Sequence, residues 1–141
     1  MFTLFPDPGV LPTMPSPSPG ESVVITVDGL PPYKDKNFSV RNPQHPKHGA
    51  CVKLRRAAMG VMAGRKWYDG PVRLVFTLFA PSRDRDIVDY LGGIQDALGG
   101  SHGFTFTYLP IVFQDDSQVV SIEGQFVESS ETRYTIKVLF E

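Results

Sequence analysis

The stretch VRLVFTLFAPSRDRDIVDYLGGIQDAL, residues 72–98, decides the fold class. In its first third Val72, Leu74, Phe76 and Leu78 alternate with Arg73, Val75, Thr77 and Phe79. Both faces of such a strand are largely apolar, which predicts a central position in a sheet, and Pro81 ends it. The period then changes. Ile87, Tyr90, Leu91, Ile94 and Leu98 form one stripe, with Asp86, Asp89 and Asp96 off it, so a helix is expected over 86–98, closed by Gly99-Gly100.

Outward from this unit the same two periods recur. Val23, Ile25 and Val27 alternate with Val24, Thr26 and Asp28 in a first strand that Gly29 and Pro31-Pro32 end. Leu54, Ala57, Ala58, Val61 and Met62 have helical spacing over 49–62, with Lys53 and Arg56 pointing elsewhere and Gly64 as the stop. Residues 118–128 and 132–140 read as two strands meeting at Ser129-Ser130 as an antiparallel hairpin. The order β-α-β-α-β-β predicts an α+β fold, a mixed β-sheet with two principal helices. The six prolines among residues 1–20 remove backbone donors and predict a flexible tail, with Phe2, Leu4 and Phe5 available to dock, before a single domain over 21–141. Residues 101–117 form a long connection with a short extended piece expected at 104–107.

The chain has 141 residues, 41% of them hydrophobic and 21% charged, enough for one ordinary core. Its one cysteine, Cys51, cannot form an internal disulfide, and no apolar run approaches the ~20 residues of a membrane span. A soluble, cytoplasmic protein without a membrane partner is expected. The net charge of −1 hides an uneven distribution: Lys34, Lys36, Arg41, Lys47, Lys53, Arg55, Arg56, Arg65, Lys66 and Arg73 fall between 34 and 73 against Asp35 and Asp69, and the balance reverses from Asp84 onward. A basic half for phosphates and an acidic half for a metal suit a nuclease; two solvated faces explain the same pattern.

Asp84, Asp86 and Asp89 stand where a strand gives way to a helix, and the i, i+3 pair Asp86 and Asp89 can converge on one cation, with Asp115-Asp116 as a further source of ligands. Mg²⁺ keeps several waters beside a few carboxylates, which leaves room for a phosphate and an attacking hydroxide. Helix capping and a simple turn account for the same aspartates. His45, His48 and Cys51 have an H-x-x-H-x-x-C spacing that suggests zinc but lacks a fourth ligand. Trp67 and Tyr68, beside Arg65 and Lys66, suit either a stacked base or a core lid.

RDIVDYLGGIQDAL (residues 85–98) and DDSQVV (residues 115–120) resemble the RusA family of Holliday-junction resolvases. There a strand leads to an RD-hydrophobic-DN motif on a helix ending in DAL, and a DD-x-QV segment follows. The early strand ending in PP, the basic segment and the first helix also fit. The resemblance implies a homodimeric, Mg²⁺ (or Mn²⁺)-dependent endonuclease acting on branched DNA, with Asp86 and Asp116 as metal-binding catalytic residues and Asp96 at the DAL position. It departs in three places: Val88 stands at the family's second aspartate, with Asp89 on its asparagine, Gly92 stands at its lysine, and the connection from Gly99 to Asp115 is longer than the family's short loop. Asp89 would then serve as the substitute ligand, and Lys66, Arg83, Arg85 or His102 as the substitute cation. Lys34, Lys36, Arg41, Lys53, Arg56, Arg65 and Lys66 would hold the phosphates. Two alternatives are a relative that binds DNA or protein without catalysis, and an enzyme of different chemistry built on His102.

Overall fold

Val72, Leu74, Phe76, Leu78 and Ala80 are buried, while Arg73, Val75, Thr77 and Phe79 on the other face are half-buried or exposed. They make up strand β2 (Val72–Ala80) of a computed structural model that describes residues 11–33, 46–100 and 109–141. The remaining elements are β1 (Ser22–Asp28), α1 (His48–Met62), α2 (Ile87–Leu98), a 3-10 turn (Asp116–Gln118), β3 (Val119–Glu128) and β4 (Arg133–Phe140). The fold is α+β, as the pattern predicts, with one mixed sheet ordered β1-β4-β2-β3. Residues 104–107, expected to be extended, lie outside the described residues.

The apolar β2 is interior: it pairs antiparallel with β4 and parallel with β3. The expected hairpin between the last two strands does not form, because β2 lies between them. Their connection instead crosses the end of β2, where the Ser129 N–H donates to the Ala80 carbonyl at 3.0 Å. A β3–β4 hairpin would leave the most apolar strand with an open edge, whereas this order pairs it on both sides. The parallel β2–β3 pairing in turn requires α2 as a crossover.

Both helices cover one face of the sheet, α1 beside β1 and α2 beside β3, in contact with each other. Ile25, Val27, Phe76, Leu78, Tyr134 and Ile136 from the strands meet Leu54, Ala58, Met62, Tyr90, Ile94 and Leu98 from the helices in one core. Helix α1 presents Lys53, Arg56 and Gly60 to solvent and ends in two left-handed residues, Ala63 at φ 52° and Gly64 at φ 81°. The second half of the proline-rich tail runs along the chain just after α1. The Thr13 and Met14 N–H groups donate to the Gly64 carbonyl, and the Lys66 N–H donates to the Met14 carbonyl.

A glycine inside α2 has a steric cause. A Cβ at Gly93 would lie 2.4 Å from the Pro32 carbonyl oxygen and 2.7 Å from the Tyr33 Cα, so the helix rests directly on the backbone that follows β1. Gly60 in α1 has nothing within 4 Å of the same position. Gly60→Ala should therefore stabilise the fold by about 0.5–1 kcal/mol through helix propensity. Gly93→Ala should destabilise it by roughly 2 kcal/mol or more, because backbone must move. Urea unfolding of the two variants checks the opposite signs.

Candidate functional site

Each helix returns along the strand before it, so both helix N-termini lie at one end of the sheet. Ile87 packs on Gly124, level with Phe76, and Lys53 on α1 reaches the Asp28 carbonyl at the end of β1 at 2.6 Å. Partial positive charge from two helix ends thus accumulates there. Between them lies a polar depression lined by Arg83, Asp84, Arg85, Asp86 and Asp89.

The three aspartates are not equivalent. Asp84 accepts a short hydrogen bond from the Tyr90 hydroxyl, its own N–H donates back to that oxygen at 3.1 Å, and Lys47 stands 3.6 Å from its carboxylate. It ties the turn 81–86 to the helix that follows. Asp86 is the N-cap residue of α2, yet its side chain makes no capping hydrogen bond. The carboxylates of Asp86 and Asp89 have no hydrogen-bonding or ion-pairing partner among the described residues, and the two are joined only through the backbone, the Asp89 N–H donating to the Asp86 carbonyl at 3.0 Å. The Arg83 guanidinium stacks over Phe126 at 5.6 Å and that of Arg85 over Tyr33 at 4.1 Å, which holds two cations beside the two carboxylates.

Asp116 is elsewhere. It opens the 3-10 turn before β3, and Val119 pairs with Val72 at the start of β2. At about 3.3 Å per strand residue it lies about 20 Å from Gly124, against which α2 begins. Asp115 and Gln118 form a reciprocal cap on that turn. Gln118 also donates to the Tyr68 carbonyl at 2.6 Å and the Gly70 carbonyl at 2.9 Å. Asp115 and Gln118 of the DDSQ segment are therefore structural, and Asp116 is exposed. Among the described residues no three His, Cys, Asp or Glu side chains form a group able to hold a metal ion.

The chain matches no family model and no curated protein.

The described basic residues are spread rather than gathered. Lys53 and Arg56 lie on the outer face of α1, and Arg65 and Lys66 lie beyond its C-terminus, with Arg65 paired to Glu21 at 3.4 Å. Lys66 is thus at the far end of α1 from the depression, so of the cations proposed to replace the absent lysine, Arg83 and Arg85 are the ones beside the carboxylates. Lys34, Lys36, Arg41, His45 and His102 lie outside the described residues. Tyr33 and Lys47, which flank the segment 34–46, both stand at the depression, Lys47 lying 5.8 Å from the Tyr33 ring. Cys51, from the zinc-like spacing, is buried in the core.

Two roles were invisible in the sequence. Arg55 belongs to the basic run by composition but is 1% exposed, donating to the carbonyls of Ala97 at 2.7 Å and Leu109 at 2.5 Å. Its charge sits at the C-terminus of α2, where the macrodipole favours it. Tyr90 belongs to the apolar stripe, yet its hydroxyl holds Asp84. Burial first, and the bond to Asp84 second, push that hydroxyl from 10.0 up to about 12. The folded value is the higher one, so this stabilisation is complete below pH 10 and is lost as the pH rises towards 12. Burial also raises the Tyr134 hydroxyl, which titrates in the same alkaline direction. Tyr90→Phe should therefore leave a shallower loss of stability between pH 10 and 12 than the parent shows, measured by urea unfolding across that range.

Proposed function

We propose that the protein is a metal-dependent endonuclease for branched DNA, of the RusA kind, working in the cytoplasm as a homodimer. The observation that carries this reading is the pair Asp86 and Asp89. These two carboxylates share the first turn of α2 and form no direct ion pair or side-chain hydrogen bond with a described residue, while the neighbouring Asp84 is held by Tyr90 and Lys47. Leaving two like charges side by side is unfavourable unless a cation joins them. Arg83 and Arg85 supply positive charge for a phosphate at the same place, and the helix N-termini favour anions there.

Among the described residues, one chain does not supply a complete three-carboxylate group. Asp86 and Asp89 fit as half of a Mg²⁺ or Mn²⁺ site, and Asp116 is too distant to join them. The third carboxylate would be Asp116 of a second copy, which gives the homodimer a chemical purpose. A divalent ion held there would polarise a phosphate oxygen and acidify a bound water. The residues of the chain orient the strand: Arg83 and Arg85 at the scissile phosphate, Lys53 and Arg56 along α1, and Lys34, Lys36 and Arg41, which follow Tyr33 in the sequence. Cys51, the one cysteine of the sequence, is buried, which fits a reducing compartment.

A second reading, a binding module without turnover, is favoured by Val88. This valine is 76% exposed on the turn that carries Asp86 and Asp89, where the resemblance calls for another carboxylate.

Purified protein should cut synthetic four-way junctions with Mg²⁺ or Mn²⁺, and Asp86→Asn and Asp116→Asn should each abolish cutting. Mixed and refolded together, the two inactive chains should recover roughly a quarter of the activity, because half the dimers then contain one unsubstituted shared site. A mixture that stays inactive while the parent cuts would sink the shared site. A parent that binds junctions with steep salt dependence and never cuts them would replace the nuclease with the binding module.

A further inference from the structure

Trp67 and Tyr68 are adjacent in the chain and diverge in space. The Tyr68 ring is buried 4.9 Å from that of Phe140, and its hydroxyl donates to the Glu141 carbonyl. Trp67 stays half-exposed, its carbonyl accepting from the Ser16 hydroxyl at 2.8 Å. Its indole is a wall of a cavity of about 140 Å³, lined also by Leu11, Met59, Met62, Leu109 and Ile111.

Among the described residues, the charged side chains lining this cavity are Arg55 and Arg65, and no carboxylate lines it. Glu21 meets Arg65 at 3.4 Å without lining the cavity. Lys66 adds its ammonium 5.4 Å from the centre of the indole ring. An aromatic wall, an apolar floor and cations at the rim make a stacking platform for a base whose backbone is anionic. Volume limits the base. An apolar cavity of about 150 Å³ accepts benzene, so this one accepts a single six-membered ring rather than a fused pair.

We propose that the cavity beside Trp67 binds one unpaired pyrimidine base of a single-stranded DNA segment, with Arg65 and Lys66 at the neighbouring phosphates. This rests on the nucleic-acid reading above and adds a base-binding subsite at the opposite end of α1 from the acidic depression. It also gives a strand exposed at a branch a reason to be held.

Trp67 is the only tryptophan, so its emission reports on this cavity alone. Titration of the full chain with short oligo(dT) should quench it saturably, with affinity about ten-fold above that for oligo(dA), while blunt duplex leaves it unchanged. Met59→Phe, which fills the cavity from α1, should reduce oligo(dT) affinity about ten-fold while thermal unfolding shows the variant still folded. Anisotropy of a labelled strand separates two failures. Oligo(dT) binding without any change in Trp67 emission, or equal quenching by oligo(dA), overturns the pyrimidine subsite and leaves the nuclease reading intact. Absence of binding to every DNA probe, junctions included, overturns both.

Discussion

The parallel pairing of β2 with β3 is the constraint on which the rest of the structure depends. Two parallel neighbours require the chain to return to its starting end between them, and α2 makes that return. Asp86 and Asp89, which begin the return, therefore stand towards one end of the sheet, and Asp116, which follows it, stands at the other. Strands β1 and β2 also run in the same direction, on either side of β4, so α1 has to return as well, and Lys47 arrives beside Asp84 while Arg65, Lys66 and Trp67 are carried to the far end. Polar chemistry collects where the helices begin, and the apolar cavity forms where α1 ends.

The crossover is held by side chains whose composition suggests other work. Arg55 is an arginine within a basic run, but its burial would cost several kcal/mol without compensation, and carbonyl groups at the end of α2 provide it. Gln118 belongs to a segment read for its aspartates, yet it clamps the start of β3 to the carbonyls of Tyr68 and Gly70. Asp84 and Asp115 are taken up by similar local duties. What separates Asp86 and Asp89 from them is that their carboxylates meet no hydrogen-bonding or ion-pairing partner among the described residues, while Asp116 is exposed beside the cap that Asp115 forms.

Much of the fold was legible because burial follows period. Alternation located β1 and β2 with the bounds observed or within a residue of them, and three-to-four spacing located both helices. Gly93 inside α2 is explained only by the structure, through its close approach to Pro32 and Tyr33. Pairing was less legible. Two strands separated by a short turn usually form a hairpin, and only the preference of β2 for neighbours on both sides overrides that rule here. Adjacency in sequence likewise cannot sort Asp84 from Asp86, because the sorting is done by Tyr90 and Lys47. Burial of Arg55 is opaque for the same reason: its partners are backbone carbonyls far along the chain, which no residue pattern encodes.

The geometry also changes what Val88 and Gly92 mean. A lysine at position 92 would stand one turn further into α2, about 5 Å along the helix from the first-turn carboxylates. Arg83 and Arg85 approach instead from the turn before the helix, braced by Phe126 and Tyr33. Positive charge is thus retained and delivered from the other side of Asp86. Stacking on an aromatic ring restricts a guanidinium far more than a solvated lysine is restricted, which favours orientation of a phosphate over mere attraction. Val88 adds no ligand, and Asp89 beside it is the carboxylate available on that turn. On the proposed nuclease reading, Arg83 and Arg85 would do the work of a lysine at 92, whereas Asp89 and a further carboxylate would have to do that of an aspartate at 88.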